Sequence, residues 1–187
     1  MNQITAVVLS KHGYQRRFRD LDFVVHHSVI NNARDLCLAR FQAVQAVRTP
    51  YFFYLDDDDD LPFDYLDVLN DCVAAGACVA YTDEIIVSGD SSEIRRSADY
   101  SQSLHLKQPL LIHHLALCRT ADAREVARTL PVEPYCPEMI LYWELAKRGA
   151  VYVPRVGYVW NRSNGMHTWT STAKSWVRAP EYCEAHP

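Results

Sequence analysis

The chain has 187 residues, 49% hydrophobic and 22% charged, with 19 Lys plus Arg against 23 Asp plus Glu for a formal net charge of −4. That is chain enough for one globular domain with a real core, expected over 1–187, and the charge balance does not indicate general nucleic-acid binding. No apolar run approaches the roughly 20 residues that cross a bilayer, so no transmembrane segment is expected, and the scattered cysteines, lacking any C-x-x-C pair, read as reduced thiols of a cytoplasmic protein.

In chain order, "ITAVVLS" (4–10) is β-rich and free of charge, as a buried parallel strand is. After the basic stretch "KHGYQRRFRD" a second strand is expected in "DFVVHHSV" (22–29). "NNARDLCLARFQAVQAV" reads as a helix capped by Asn31 or Asn32. "PYFFYL" (50–55) is the third strand, entered at Pro50. "FDYLDVLNDCVAAG" (63–76) is a helix ended by Gly76, and "ACVAYTDEIIVSGD" (77–90) supplies one or two strands and a turn. The polar segment 91–108 carries no clear signal, and "PLLIHHLALCR" (109–119) fits helix or strand equally. "ADAREVARTL" and "PEMILYWELAKRG" (137–149) read as helices, and "AVYVPRVGYVWNR" (150–162) as a strand with a proline break. The tail 163–187 reads as a flexible C-terminal flap.

Strands alternating with helices predict an α/β fold with a mainly parallel sheet flanked by helices. In such sheets ligands gather beyond the carboxyl ends of the strands. There "PYFFYL" delivers an unbroken run of aspartates, Asp56 to Asp60.

Two charged residues stand among apolar ones. Projected as a helix, Ala33, Leu36, Cys37, Val44 and Val47 form one stripe, with Arg40 in its middle. A buried guanidinium is costly alone, so Arg40 must snorkel, pair with a carboxylate or meet a bound anion. In 137–148, Leu141, Tyr142, Leu145 and Ala146 share a face with Glu138 at its centre. A glutamate after proline at a helix start offsets the helix dipole. Opening onto a cleft, it is also a candidate general base.

A solvated loop is the plain reading of an acidic run, but the attached aromatic strand favours a cation site. Asp56 and Asp58 can turn toward one ion, with Asp59 nearby. Such hard oxygen donors suit Mn2+ or Mg2+ shared with substrate phosphates.

At this point a resemblance emerges. "LARFQAVQAVRTPYFFYLDDDDDLPFDYL" resembles the central block of family 2 glycosyltransferases with the GT-A fold, which runs A-R-N-x-G-(apolar)-x-x-A, an aromatic strand, L-D-x-D-D, then Pro and Leu. Ala39, Arg40, Ala46, Leu55, Asp56, Asp58, Asp59 and Pro62 match it. "PEMILYWELAKRGAVYVPRVGYVWNRSNGMHT" is similar to the family's E-D helix and the strand after it, with Glu138 on the first acidic position. The resemblance implies a GT-A-like, metal-dependent glycosyltransferase moving a sugar from a nucleotide-sugar donor to an unknown hydroxyl acceptor. It implies that Asp56 and Asp58, supported by Asp59, hold the metal and diphosphate, and that Arg40 faces the nucleotide. It makes Glu138 the base and His167 an extra metal or phosphate contact.

The sequence also departs from that family. Phe41 and Ala43 replace its Asn and Gly, and Met139 replaces the second acid of E-D. No acidic turn follows the second strand to grip the base, which leaves that task to Ser10 or His12. These departures keep open a catalytically degenerate relative that binds a nucleotide or a partner. A nucleotidyltransferase ranks last, because the six glycines do not cluster into a phosphate loop.

Overall fold

The computed structural model describes residues 3–10, 14–15, 17–27, 33–132, 135–162, 178 and 180–187. Asn31 and Asn32, His12, His167 and most of the tail after 162 lie outside them. The elements run β1 (Ile4–Ser10), β2 (Asp22–His27), α1 (Ala33–Ala46), β3 (Tyr51–Asp56), α2 (Tyr65–Ala74), β4 (Val79–Ser88), β5 (Ser91–Arg95), α3 (Gln102–Lys107), β6 (Ala116–Arg119), α4 (Thr120–Ala127), α5 (Pro137–Arg148) and β7 (Ala150–Asn161).

All seven strands form one sheet in the order β2-β1-β3-β6-β4-β5, with β7 also on β4. β1 is buried along its whole length between β2 and β3, parallel to both, which is why it carries no charge. β6 and β5 take successive parts of one edge of β4, and β7 runs parallel along the other. The expected α/β class holds, and the sheet is mixed. β1–β2, β1–β3 and β4–β7 are parallel, whereas β3–β6, β4–β6 and β4–β5 are antiparallel.

Each segment that was ambiguous in sequence has a physical reason. β5 is the return arm of a hairpin turning at Gly89 (φ +58°), and its residues are almost all exposed, so no apolar alternation marks it. β6 is short, and the loop before it buries Leu111, Ile112 and Leu115 as fully as the strand buries its own residues. β7 passes through its proline unbroken. Val153 pairs with Thr82 and Val156 with Asp83, so Pro154 sits in a bulge where no ladder N–H is needed.

The period of two in "YFFYL" feeds both faces of the sheet. Phe52 and Tyr54 pack with α1, α4 and α5 residues such as Val44, Ala123, Ile140 and Leu145. Phe53 and Leu55 pack on the other face with Val68, Leu69 and Cys72 of α2 and with Tyr158 of β7. α1 has no basic residue in its last turn. Arg124 of α4 supplies one, donating to the carbonyls of Val44 at 3.4 Å, Gln45 at 3.1 Å and Val47. None of the six cysteines forms a disulfide, and no helix among the described residues is long and apolar enough to cross a membrane.

Candidate functional site

The fully buried Leu55 brings β3 to the rim of the sheet, where Asp56 emerges with its side chain 39% exposed. The Asp56 backbone N–H donates to the Tyr158 hydroxyl at 3.0 Å. The chain then turns back, with the Asp59 N–H donating to the Asp56 carbonyl at 3.2 Å. Asp59 is 1% exposed, and its carboxylate accepts from the Tyr158 hydroxyl at 2.9 Å and the Asn161 N–H at 2.7 Å. The Asn161 side-chain amide donates to the Asp58 carbonyl at 2.9 Å, and Asp60 exchanges backbone hydrogen bonds with Val159.

The end of β7 thus folds the acidic run into an ordered turn. Its carboxylates tolerate one another because they are dispersed: Asp57 is exposed, Asp58 half-buried, and Asp60 faces Arg17 at 3.2 Å. Burial and then the Asp56 charge push Asp59 up to about 7, and the same two causes, in that order, raise Asp58.

Arg40 and Glu138, the two misplaced charges of the sequence, meet here. Arg40 is 6% exposed, with Nη2 2.5 Å from Asp56 Oδ1 and Nε 2.5 Å from Glu138 Oε1. Its guanidinium lies over the Tyr54 ring at 4.5 Å, an apolar face suited to a planar cation. Burial by itself would lower its pKa, but Glu138, Asp56 and Tyr54 together raise it, so the charge is permanent. Burial likewise works to raise the Asp56 carboxyl, while Arg40 and then His114 hold it below the ordinary value. Arg40 Nη1 remains buried with no hydrogen-bond partner among the described residues, and so does Ser10 Oγ at the carboxyl end of β1. Orphaned buried polar groups are rare, and these two, one on α1 and one at the end of β1, have polar capacity that the described residues leave unused.

A histidine pair absent from the sequence-derived site completes the picture. The loop before β6 sets His113 Nδ1 at 3.0 Å and His114 Nδ1 at 3.1 Å from Glu84 Oε2. Glu84 is 1% exposed and carries Arg95 Nε at 3.0 Å on its other oxygen. His114 stacks on Tyr158 (4.5 Å, 16°) and points Nε2 toward Asp56 Oδ2, 3.9 Å away.

Burial opposes ionisation of Glu84, but hydrogen bonds from the two imidazoles hold its carboxyl well below the usual range. Burial and then the neighbouring His114 lower His113 to about 3. For His114 burial is outweighed by Glu84, Asp56 and Asp59, and its pKa is raised.

Among the described residues two sets of potential metal donors, Asp56–Asp59–His114 and Glu84–His113–His114, each have their donor atoms within 4.8 Å of one another. Asp58, expected as the partner of Asp56, belongs to neither, and His167 lies outside the described residues. A signal for the missed residues was available: Glu84 and Asp83 sit inside the apolar strand run "VAYTDEIIV", as out of place as Arg40 on its helix.

Neither a protein-family profile nor a curated protein sequence matches the chain. Its three-dimensional form is similar to S. aureus TarS, a GT-A-like glycosyltransferase. Against TarS 1-349 the TM-score is 0.61 at 10% identity, covering 85% of this chain and 60% of that one. Against the same protein in complex with UDP-GlcNAc it is 0.64 at 11% identity, covering 90% and 61%.

The fold is GT-A-like.

Against the UDP complex of TarS the TM-score is 0.59, again at 11% identity. The chain spans at most 61% of these TarS chains, and at such low identity what is shared is the GT-A architecture. The acidic turn follows the carboxyl end of β3, the end of an α/β sheet at which ligands generally gather.

Proposed function

We propose that the protein is a metal-dependent glycosyltransferase that moves a sugar from a nucleotide-sugar donor to a hydroxyl acceptor. The observation that carries this reading is Asp56, held between Arg40 and His114 at the carboxyl end of β3 on a GT-A-like sheet. The donor set there, carboxylates with an adjacent imidazole, suits a divalent cation such as Mn2+ or Mg2+. Asp56 and Asp59, in the same turn, would hold it. When bound, such an ion neutralises charge on the departing nucleoside diphosphate.

The chain's own groups supply the rest. Arg40 Nη1 and Ser10 Oγ offer polar contacts on the nucleotide side. Glu138 keeps Oε1 on Arg40, while Oε2 has a thiol contact from Cys136 at 3.4 Å. Oε2 would take the acceptor hydroxyl's proton as the sugar transfers.

Thermal shift with Mn2+ and a panel of nucleoside diphosphates and nucleotide-sugars tests donor binding, and turnover by wild type and Glu138→Gln tests transfer. The reading fails if no nucleotide-sugar stabilises the protein or is consumed. One observation favours a second reading, a relative that binds the nucleotide without transfer. Met139, in place of the second acid, is 5% exposed and packs with Cys136 and Leu110 in the core, so that position supplies no carboxylate to the cleft. Donor binding without turnover in the wild type selects it.

A further inference from the structure

We propose that His114 is an imidazole ligand of the cation site, completing it with Asp56 and Asp59, and that Glu84 holds its far nitrogen in place. This deepens the proposed function and rests on its cation site, but it concerns side chains that the acidic sequence motif does not contain.

Three segments converge on the site: the end of β3, the turn after it, and the loop before β6. Their donor atoms, from Asp56, Asp59 and His114, lie within 4.8 Å of one another. Asp56 gives Oδ1 to Arg40 and turns Oδ2 toward His114 Nε2 at 3.9 Å. That separation is too long for a hydrogen bond, yet both atoms can reach one ion through bonds of about 2.1 Å. Each Asp59 oxygen accepts one hydrogen bond from the protein, from Tyr158 and Asn161, which leaves acceptor capacity on both.

A single residue aligns all three ligands. The Tyr158 ring stacks on His114, while its hydroxyl donates to Asp59 and accepts from the Asp56 N–H. Glu84 takes His114 Nδ1 at 3.1 Å, which directs Nε2 to the site. A carboxylate behind a histidine is the usual outer support of a metal-bound imidazole.

The alternative trio, Glu84–His113–His114, is poorly suited to an ion. Both Glu84 oxygens are already engaged by charged or imidazole groups, one by Arg95 and the other by both imidazoles. Asp56, at 39% exposed, is open to an ion that keeps water or phosphate ligands. An imidazole in the set shifts preference from Mg2+ toward Mn2+ and the later divalent metals.

Calorimetry of Mn2+ and Mg2+ on the full chain without nucleotide tests this, with folding checked by circular dichroism. Wild type is expected to bind Mn2+ at least about tenfold more tightly than Mg2+. His114→Phe, which keeps a ring on Tyr158, should lose that preference, and Glu84→Gln should weaken Mn2+ about 10–100-fold. Equal Mn2+ affinity in wild type and His114→Phe overturns the proposal, as does absence of Mn2+ binding to wild type. Should His114→Phe fail to fold, anomalous diffraction from Mn2+-soaked wild-type crystals decides. A peak bonded to His114 Nε2 supports the assignment, and a peak elsewhere or none defeats it. Nucleoside diphosphate stabilisation in EDTA separates the two readings. If it persists while the His114 result fails, donor binding stands and the ligand assignment falls.

Discussion

Tyr158 and Asp59, 99 residues apart in the chain, meet through a hydroxyl–carboxylate hydrogen bond of 2.9 Å with both side chains buried. This contact turns a run of aspartates from a repulsive stretch into an ordered rim. Tyr158→Phe keeps the ring on His114 and removes the hydroxyl, leaving Asp59 one donor short and the Asp56 N–H without its acceptor. We expect a loss of about 1–3 kcal/mol in urea denaturation. Unchanged stability would show that the hydroxyl does not carry the turn.

Arg40 joins Asp56 and Glu138, and its removal leaves two carboxylates facing each other without a cation. Arg40→Met should cost about 3–5 kcal/mol, toward the lower end because Asp56 is partly solvated. In a double-mutant cycle, Arg40→Met with Glu138→Gln should cost less than Arg40→Met alone. Simple additivity in guanidinium unfolding would refute the bridge.

His105 lies 3% exposed between the rings of Tyr100 and Trp143, and burial lowers its pKa to about 4 from the ordinary 6.5. The unfolded chain therefore binds a proton below pH 6.5 that the folded chain refuses until about pH 4. Its contribution is full above the unfolded value and is lost as pH falls through that window, by up to about 3 kcal/mol. His113 acts with the same sign, so the variant is needed to isolate His105. His105→Leu should lose less stability than wild type between pH 7 and pH 4.5, measured as the urea midpoint at each pH. Parallel profiles would exclude the effect.

Gly157 lies in the bulged part of β7, where a Cβ would come within 2.5 Å of Leu115 Cδ2 and 2.5 Å of Thr82 Oγ1. Leu115 is already strained at φ 40° and directly follows His114. Gly157→Ala should destabilise by about 1–3 kcal/mol through overpacking and weaken Mn2+ binding by displacing the loop that carries His114. Thermal melting and calorimetry on the one variant check both effects. A variant as stable as wild type would mean that the approach is not tight.

Much of this architecture is legible in the amino-acid sequence. The charge-free "ITAVVLS" had to be a doubly covered strand, and "YFFYL" had to end in the aspartates. Arg40 and Glu138 were conspicuous because burying a charge is costly whatever the fold. What the residues left open was their partner. The pairing alternative for Arg40 proved right twice over, since it holds both Asp56 and Glu138. β5 escaped notice because an exposed hairpin arm needs no apolar face, and the loop bearing His113 and His114 because it is as buried as the strand it precedes.

The amino-acid order determined where most strands and helices fall, though not β5, α3 or β6, and which charges lie on the wrong side of them, because periodicity and desolvation act over a few neighbouring residues. The tertiary structure decided which side chains face one another. Asp59 is buried by Tyr158 and Asn161, His114 is aimed by Glu84, and β6 runs antiparallel between β3 and β4. Those contacts join residues some 30 to 100 positions apart, where no local pattern operates and only packing of the whole sheet sets the distance.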